Sequence, residues 1–131
     1  MKTELFVRDL MSPHVVTCLR DTPIPQVARH MRDADISAVV VVDHEGFLEG
    51  LISQTDLVML RAHDEYWQGL HAEHVMIRNV ICTTPDTPLG DALELLIARR
   101  IHRVVIVEDC NRRSKPLGIL SLTDVVRDMA G

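Results

Sequence analysis

Gly50-Leu-Ile-Ser-Gln-Thr-Asp56 and Gly118-Ile-Leu-Ser-Leu-Thr-Asp124 carry one pattern twice: a glycine, two aliphatic residues, a serine, and a threonine beside an aspartate. Aliphatic residues running into short hydroxyl-bearing ones read as a strand that ends where a helix begins. The repetition extends outward from these segments. Shifting the chain by 65 residues sets Met11 on Met76, Val15 on Val80 and Asp21-Thr22-Pro23 on Asp86-Thr87-Pro88. The same shift aligns Ile36 with Ile101, Val39-Val40 with Val104-Val105, and Val42 with Val107. A three-residue insertion in the second copy then brings the two quoted segments into line. A turn signal, an apolar run and a polar motif kept in one order mark a duplication.

Each copy predicts the same string of elements. A short extended piece, Val15 to Cys18 or Val80 to Thr83, comes first. Thr22 or Thr87 then reads as an N-cap with Pro23 or Pro88 at the first helical position. The helix that follows shows Ile24, Val27, Ala28 and Met31 on one face, and its twin shows Leu89, Ala92, Leu93 and Leu96. The runs Ala38 to Val42 and Val104 to Val107 predict strands covered on both faces. Turn residues and a second strand follow, then a closing helix near Thr55 or Thr123. The reading is therefore α/β (α+β), two β-α-β-β-α repeats at 6–62 and 72–131, with a partly helical connector over 63–71 anchored by Tyr66, Trp67 and Leu70. Neither half could bury its sheet alone, so the two are expected to share one module.

Composition narrows the function classes. With 131 residues, 47% hydrophobic and 25% charged, the chain has ordinary globular proportions. A net charge of −5 and only 3% aromatics argue against a nucleic-acid partner, which needs a basic face and stacking rings. No apolar run follows Met1-Lys2-Thr3-Glu4, so no signal peptide is expected, and Ala38–Val42 is far too short to span a membrane. Cys18, Cys82 and Cys110 are odd in number and widely spaced, which predicts free buried thiols and a cytoplasmic setting.

The quoted segments have a chemistry of their own. Gly50 and Gly118 permit close backbone approach. Ser53, Thr55, Ser121 and Thr123 place hydroxyls at a helix start, where unpaired N–H groups favour an anion. Asp56 and Asp124 are acceptors suited to the vicinal hydroxyls of a ribose. The same residues also suit plain helix capping, with Thr55 and Thr123 as caps and an acidic first turn. Spacing alone leaves both readings open.

Over essentially its whole length the sequence resembles a tandem pair of cystathionine-β-synthase-type (CBS) domains, a Bateman module. Asp9-Leu-Met-Ser12 with Val75-Met76, the two Asp-Thr-Pro turns, Ile36 to Asp43 with Ile101 to Glu108, and the two closing segments carry the match. The resemblance implies two repeats packed with pseudo-twofold symmetry into one compact module, and a regulatory, non-enzymatic role. It also implies an adenosine-containing ligand in a cleft between the repeats, with Asp on the ribose and the hydroxyls toward phosphate. AMP, ADP or ATP is expected first, with S-adenosylmethionine or NAD as alternatives and no metal required. The implied contact set is Val16, Leu51, Ser53, Thr55, Asp56, Ile81, His102, Arg103, Ile119, Ser121, Thr123 and Asp124.

The copies are unequal. The second has His102-Arg103 where the first has Ser37-Ala38. In adenylate-sensing members of the family a His-Arg pair at this point reaches phosphate, and Arg offers a planar fork suited to it. The family arrangement suggests pairing His102-Arg103 with Asp56, leaving one cleft phosphate-competent and the other weak or empty.

Rival readings are weaker. His71 and His74, with Glu73 and His63 nearby, lack a convincing third metal ligand, and no nucleophile–base pair suggests an enzyme. The alternative to ligand sensing is a homodimeric protein-interaction module with no nucleotide bound. Met31, Leu57, Met59, Leu60, Val126 and Met129 would supply its apolar contacts, and the regulated partner is unspecified.

Overall fold

The computed structural model describes residues 4–131, so Met1, Lys2 and Thr3, on which the expectation about a leader partly rests, lie outside it. The described chain runs through α1 (Val7–Leu10), β1 (Thr17–Cys18), α2 (Ile24–Ala34), β2 (Ala38–Val42), β3 (Leu48–Ser53) and α3 (Gln54–His63). It continues through β4 (Cys82–Thr83), α4 (Leu89–Arg99), β5 (Arg103–Val107), β6 (Pro116–Ser121) and α5 (Leu122–Ala130), with 3₁₀ turns at Trp67–Gly69 and Ala72–His74. The mixed α/β class and the β-α-β-β-α order of each repeat are as the sequence predicts.

Two folding units emerge. One is Val16–Val80; the other joins Ile81–Gly131 to the described residues through Val15. Each holds a three-stranded sheet, ordered β1-β2-β3 or β4-β5-β6. The first strand is parallel to the second, and the second pairs antiparallel with the third. The parallel pair requires a crossover, and the amphipathic helix between its strands supplies it. In the first unit Val27 and Met31 of α2 pack on Val39, Val41 and Ile52. In the second, Ala92 and Leu96 of α4 pack on Val104, Ile106 and Leu120. Val40 and Val105, which point to the opposite sheet faces, are fully buried as well, as continuous β-branched runs predict. Ala28, expected on the apolar stripe of α2, is exposed.

The segments preceding β1 and β4 act on sheets that sequence order alone does not point to. Ser12 exchanges hydrogen bonds with Ile119 of β6, at 2.8 and 3.0 Å, and Ile77 exchanges them with Leu51 of β3, at 2.9 and 3.0 Å. Both contacts pass beside a glycine. A Cβ on Gly118 would stand 2.7 Å from the Ser12 carbonyl oxygen, and one on Gly50 would stand 2.7 Å from Met76 Sδ and 3.1 Å from the Ile77 carbonyl.

Three local expectations need correction. Thr22 and Thr87 do not cap their helices, since Pro23 and Pro88 hold the N-cap positions. The Thr22 hydroxyl accepts the Leu19 N–H at 3.0 Å and that of Thr87 accepts the Thr84 N–H at 3.3 Å, so both close the turn behind them. The helices need no threonine cap there, because the Ile24 N–H donates to the Leu70 carbonyl and the Leu89 N–H to that of Leu5. Second, Cys18 is free and buried, its thiol pushed up to about 11 by burial against a smaller opposing hydrogen bond with Thr22, but Cys82 and Cys110 are joined as a disulfide. Their separation of 28 residues hid a pairing that only the fold creates. Third, of the connector anchors, Trp67 and Leu70 are half-buried whereas Tyr66 is exposed. The Arg61 guanidinium lies 5.1 Å from the Trp67 ring centre.

Gly118→Ala should destabilise the protein by about 1–3 kcal/mol, because a fixed backbone carbonyl must move. Gly50→Ala should cost less, since its nearest neighbour is the flexible Met76 side chain. Urea unfolding of both variants checks the order, and an equal or smaller loss at Gly118 would contradict it.

Candidate functional site

In each unit the third strand ends in a serine that starts the closing helix. Ser53 and Ser121 are the N-caps of α3 and α5. Their hydroxyls accept the N–H of Asp56 and Asp124 at 3.3 and 3.2 Å. The aspartates reach back, each using Oδ2 to accept the serine N–H at 2.8 Å and the serine hydroxyl at 2.9 Å. This reciprocal arrangement is a capping box. The cap therefore lies two residues before Thr55 and Thr123, which are exposed in the first helical turn and hold no cap position. Serine wins because the strand delivers it in extended backbone geometry (φ −103° at Ser53, −117° at Ser121), as an N-cap requires.

The box redistributes the expected chemistry. A serine hydroxyl has one proton, and in Ser53 and Ser121 it is spent on the aspartate. The hydroxyls left to donate outward are those of Thr55 and Thr123. Each carboxylate commits only Oδ2 to these bonds, so Oδ1 keeps its acceptor capacity at a half-buried position.

The residue before the second strand closes the same corner. The first N–H of α3, at Gln54, donates to the Ser37 carbonyl at 2.9 Å, and that of α5, at Leu122, donates to the His102 carbonyl at 2.9 Å. Arg103 lies in register with Ser121. His102 and Arg103 thus stand at the start of α5, beside Ser121, Thr123 and Asp124, with His102 exposed and Arg103 half-buried. The matching corner of the first unit holds Ser37 and Ala38.

The apolar candidates fall on the same sheets. Val16 and Ile81 are half-buried, and their carbonyls accept the N–H groups of Val40 and Val105 at 3.1 and 3.2 Å. Ile81 packs against the core of its unit. Leu51 and Ile119 are half-buried, with backbone groups bonded to Ile77 and Ser12. Val16, Leu51, Ser53, Thr55 and Asp56 therefore belong to one unit, and Ile81, His102, Arg103, Ile119, Ser121, Thr123 and Asp124 to the other. The backbone roles of Ser37, Ile77 and Ser12 escaped sequence reading, although their places beside the glycine and strand motifs were a usable signal.

His71 and His74 are engaged with each other. His74 Nδ1 accepts the His71 N–H at 2.8 Å, and the two rings stack 5.6 Å apart. Among the described residues no group of three His, Cys, Asp or Glu is arranged to hold a metal. Among them, too, no helix is long and apolar enough to cross a membrane.

Comparison with known proteins agrees with this architecture. The CBS domain model matches residues 7–63 and 72–131. The inosine-5′-monophosphate dehydrogenase of Methanocaldococcus jannaschii is 31% identical over 113 residues, which cover 86% of this chain and 21% of that protein. The pig (Sus scrofa) 5′-AMP-activated protein kinase subunit gamma-3 is 26% identical over 116 residues, covering 83% of this chain and 22% of the subunit. The chain thus spans about a fifth of the length of these curated relatives. Among solved structures, the CBS domain pair of protein MJ0100, in complex with 5′-methylthioadenosine and S-adenosyl-L-methionine, superposes with a TM-score of 0.88 at 25% identity over 98% of both chains.

Ser121→Ala should lower stability by about 1 kcal/mol through loss of the cap, while Thr123→Ala should stay within about 0.5 kcal/mol. Thermal unfolding of the two variants separates the roles; a larger loss for Thr123→Ala would return the cap to threonine.

Proposed function

The chain belongs to the CBS domain family as a tandem pair, and from that premise we propose that it is a regulatory, non-catalytic module that binds an adenosine-containing ligand and passes the change to a partner protein. The observation that carries this reading is the divided use of each aspartate. Oδ2 of Asp56 and Asp124 holds the helix cap, which fixes the carboxylate in place, and Oδ1 remains to accept a ribose hydroxyl. A carboxylate already ordered by the fold loses little further freedom on binding. Thr55 and Thr123 supply hydroxyls at the helix start, and Val16, Leu51, Ile81 and Ile119 supply apolar surface for a base. The adenosyl ligands in the MJ0100 pair support the same class of ligand.

His102 and Arg103 give the second repeat a phosphate-recognising pair that Ser37 and Ala38 do not give the first. The Asp56 with which the family arrangement pairs them belongs to the other unit, and the ribose acceptor of their own unit is Asp124. AMP, ADP or ATP is accordingly favoured there over S-adenosylmethionine or NAD. Calorimetry with AMP, ADP, ATP and S-adenosylmethionine tests this. Asp124→Asn keeps an acceptor for the cap but loses the charge. Loss of a charge-assisted bond worth about 1.5–3 kcal/mol should weaken binding by roughly 10- to 150-fold. Arg103→Ala should weaken the nucleotides and spare S-adenosylmethionine. No heat with any of the four ligands, or affinities indifferent to Asp56→Asn and Asp124→Asn, would defeat the reading.

A second reading, self-association through the closing helices, is favoured by their outward apolar residues. Val58 and Met59 of α3 are 67% and 56% exposed, and Val126 and Met129 of α5 are 62% and 77% exposed. Two residues named from sequence drop out, because Met31 is buried in its own core and Leu57 packs against that core. Light scattering should report a dimer for the wild type and a monomer for Val126→Glu/Met129→Glu; a wild-type monomer at all concentrations would exclude it.

A further inference from the structure

The second repeat holds two cysteines that the first lacks. In the repeat alignment Cys82 stands opposite Thr17, and Cys110 lies in the 108–115 loop, which contains the three-residue insertion. One substitution is on a strand and the other in a lengthened hairpin loop, yet the fold brings the pair together. Cys82 opens β4, in register with Val105 of β5. Beyond the end of β5, the loop turns back around Asp109. Asp109 Oδ1 accepts the Asn111 N–H at 2.9 Å, and its carbonyl accepts the Ser114 hydroxyl at 2.8 Å and the Arg112 N–H at 3.3 Å. That turn brings Cys110 to the edge strand, with its Cα 6.0 Å from that of Cys82, a separation within the range that bonded cysteines span.

The setting of the two sulfurs differs from that of a buried structural bridge. Cys110 is exposed and Cys82 is half-buried, so exchange partners can reach the bond. Cys18, in contrast, is buried and free.

We propose that Cys82 and Cys110 form a reversible thiol–disulfide latch that fastens the 108–115 loop to β4. A small-molecule disulfide is the oxidant. The exposed Cys110 thiolate attacks one of its sulfurs and releases the first small thiol, leaving a mixed disulfide. The Cys82 thiolate then attacks the Cys110 sulfur and releases the second. Two cysteine thiols and one small disulfide become one protein disulfide and two small thiols, and excess small thiol runs the sequence backward. The latch needs no nucleotide. It acts on the sheet in which Val105 pairs in turn with Ile119.

The full chain, equilibrated in reduced or oxidised glutathione, tests the latch. Thiol titration after denaturation should find all three cysteines free in the first buffer and one in the second. Tryptic cleavage after Arg112 and Arg113 should slow several-fold on oxidation, because the tether suppresses local opening of the loop. Restoring reduced glutathione should reverse both changes. Cys110→Ser, at an exposed position, should fold normally and be cleaved at the reduced-state rate in both buffers; Cys82→Ser should match it. Three free thiols in oxidised glutathione, glutathione held on Cys110 with Cys82 still free, a bond that reduced glutathione cannot open, or a disulfide that leaves the cleavage rate unchanged would each overturn the proposal.

Discussion

The Ser12 carbonyl lies where a side chain on Gly118 would have to stand, the Met76 side chain and the Ile77 carbonyl crowd the same place at Gly50, and the pairing of each third strand depends on that close approach. The approach allows Ser12 to exchange hydrogen bonds with Ile119, and Ile77 with Leu51. The third strand of each sheet is thereby paired on both sides and carried straight to the serine that caps the closing helix. An unpaired buried peptide group costs about 1–3 kcal/mol, so an extra bridge beside a buried glycine is a strong constraint on where the leading segment lies. It also joins residues before Val16 to the sheet of the second repeat, and residues before Ile81 to that of the first.

The capping box and the ligand reading do not compete for the aspartate. Capping uses one carboxylate oxygen, and a hydroxyl ligand needs the other. The two uses reinforce each other. A free aspartate at a loop would have to be ordered by its ligand, whereas Asp56 and Asp124 are held by two hydrogen bonds each before any ligand arrives. Serine is the residue whose role narrows. Its proton is consumed locally, which shifts the outward donor role to the exposed threonines two positions later.

Most of the fold was legible because it rests on local patterns repeated twice. The stripe of Ile24, Val27 and Met31, the run Ala38–Val42 and the Asp-Thr-Pro turns each specify an element without help from distant residues. What escaped were contacts that only the tertiary arrangement creates. Thr22 looked like a cap because threonine is favoured at the N-cap and proline at the first helical position, but a carbonyl far along the chain, that of Leu70, accepts the Ile24 N–H at the helix start. Cys82 and Cys110 looked like unrelated thiols for the same reason. The serine-aspartate box was in principle readable, since the spacing of Ser53 to Asp56 is that of a reciprocal cap, but the equally plausible threonine masked it.

The two repeats show how one frame can carry different chemistry. Helices α2 and α4 both end in a left-handed residue that is not glycine, Asp35 at φ 53° and Arg100 at φ 52°. That conformation costs about 1–2 kcal/mol for an ordinary residue, so finding it twice means the surrounding bonds enforce it. They do so identically. The residues after them, Ile36 and Ile101, donate to the carbonyls of Met31 and Leu96 at 3.0 and 3.1 Å. The chain then presents Ser37 or His102, whose carbonyl receives the first N–H of the closing helix. Because these bonds use only the carbonyls of Ser37 and His102, the side chains of the corner can diverge without disturbing them. Serine and alanine in one copy, histidine and arginine in the other, can change what a corner recognises while leaving the geometry that presents it intact.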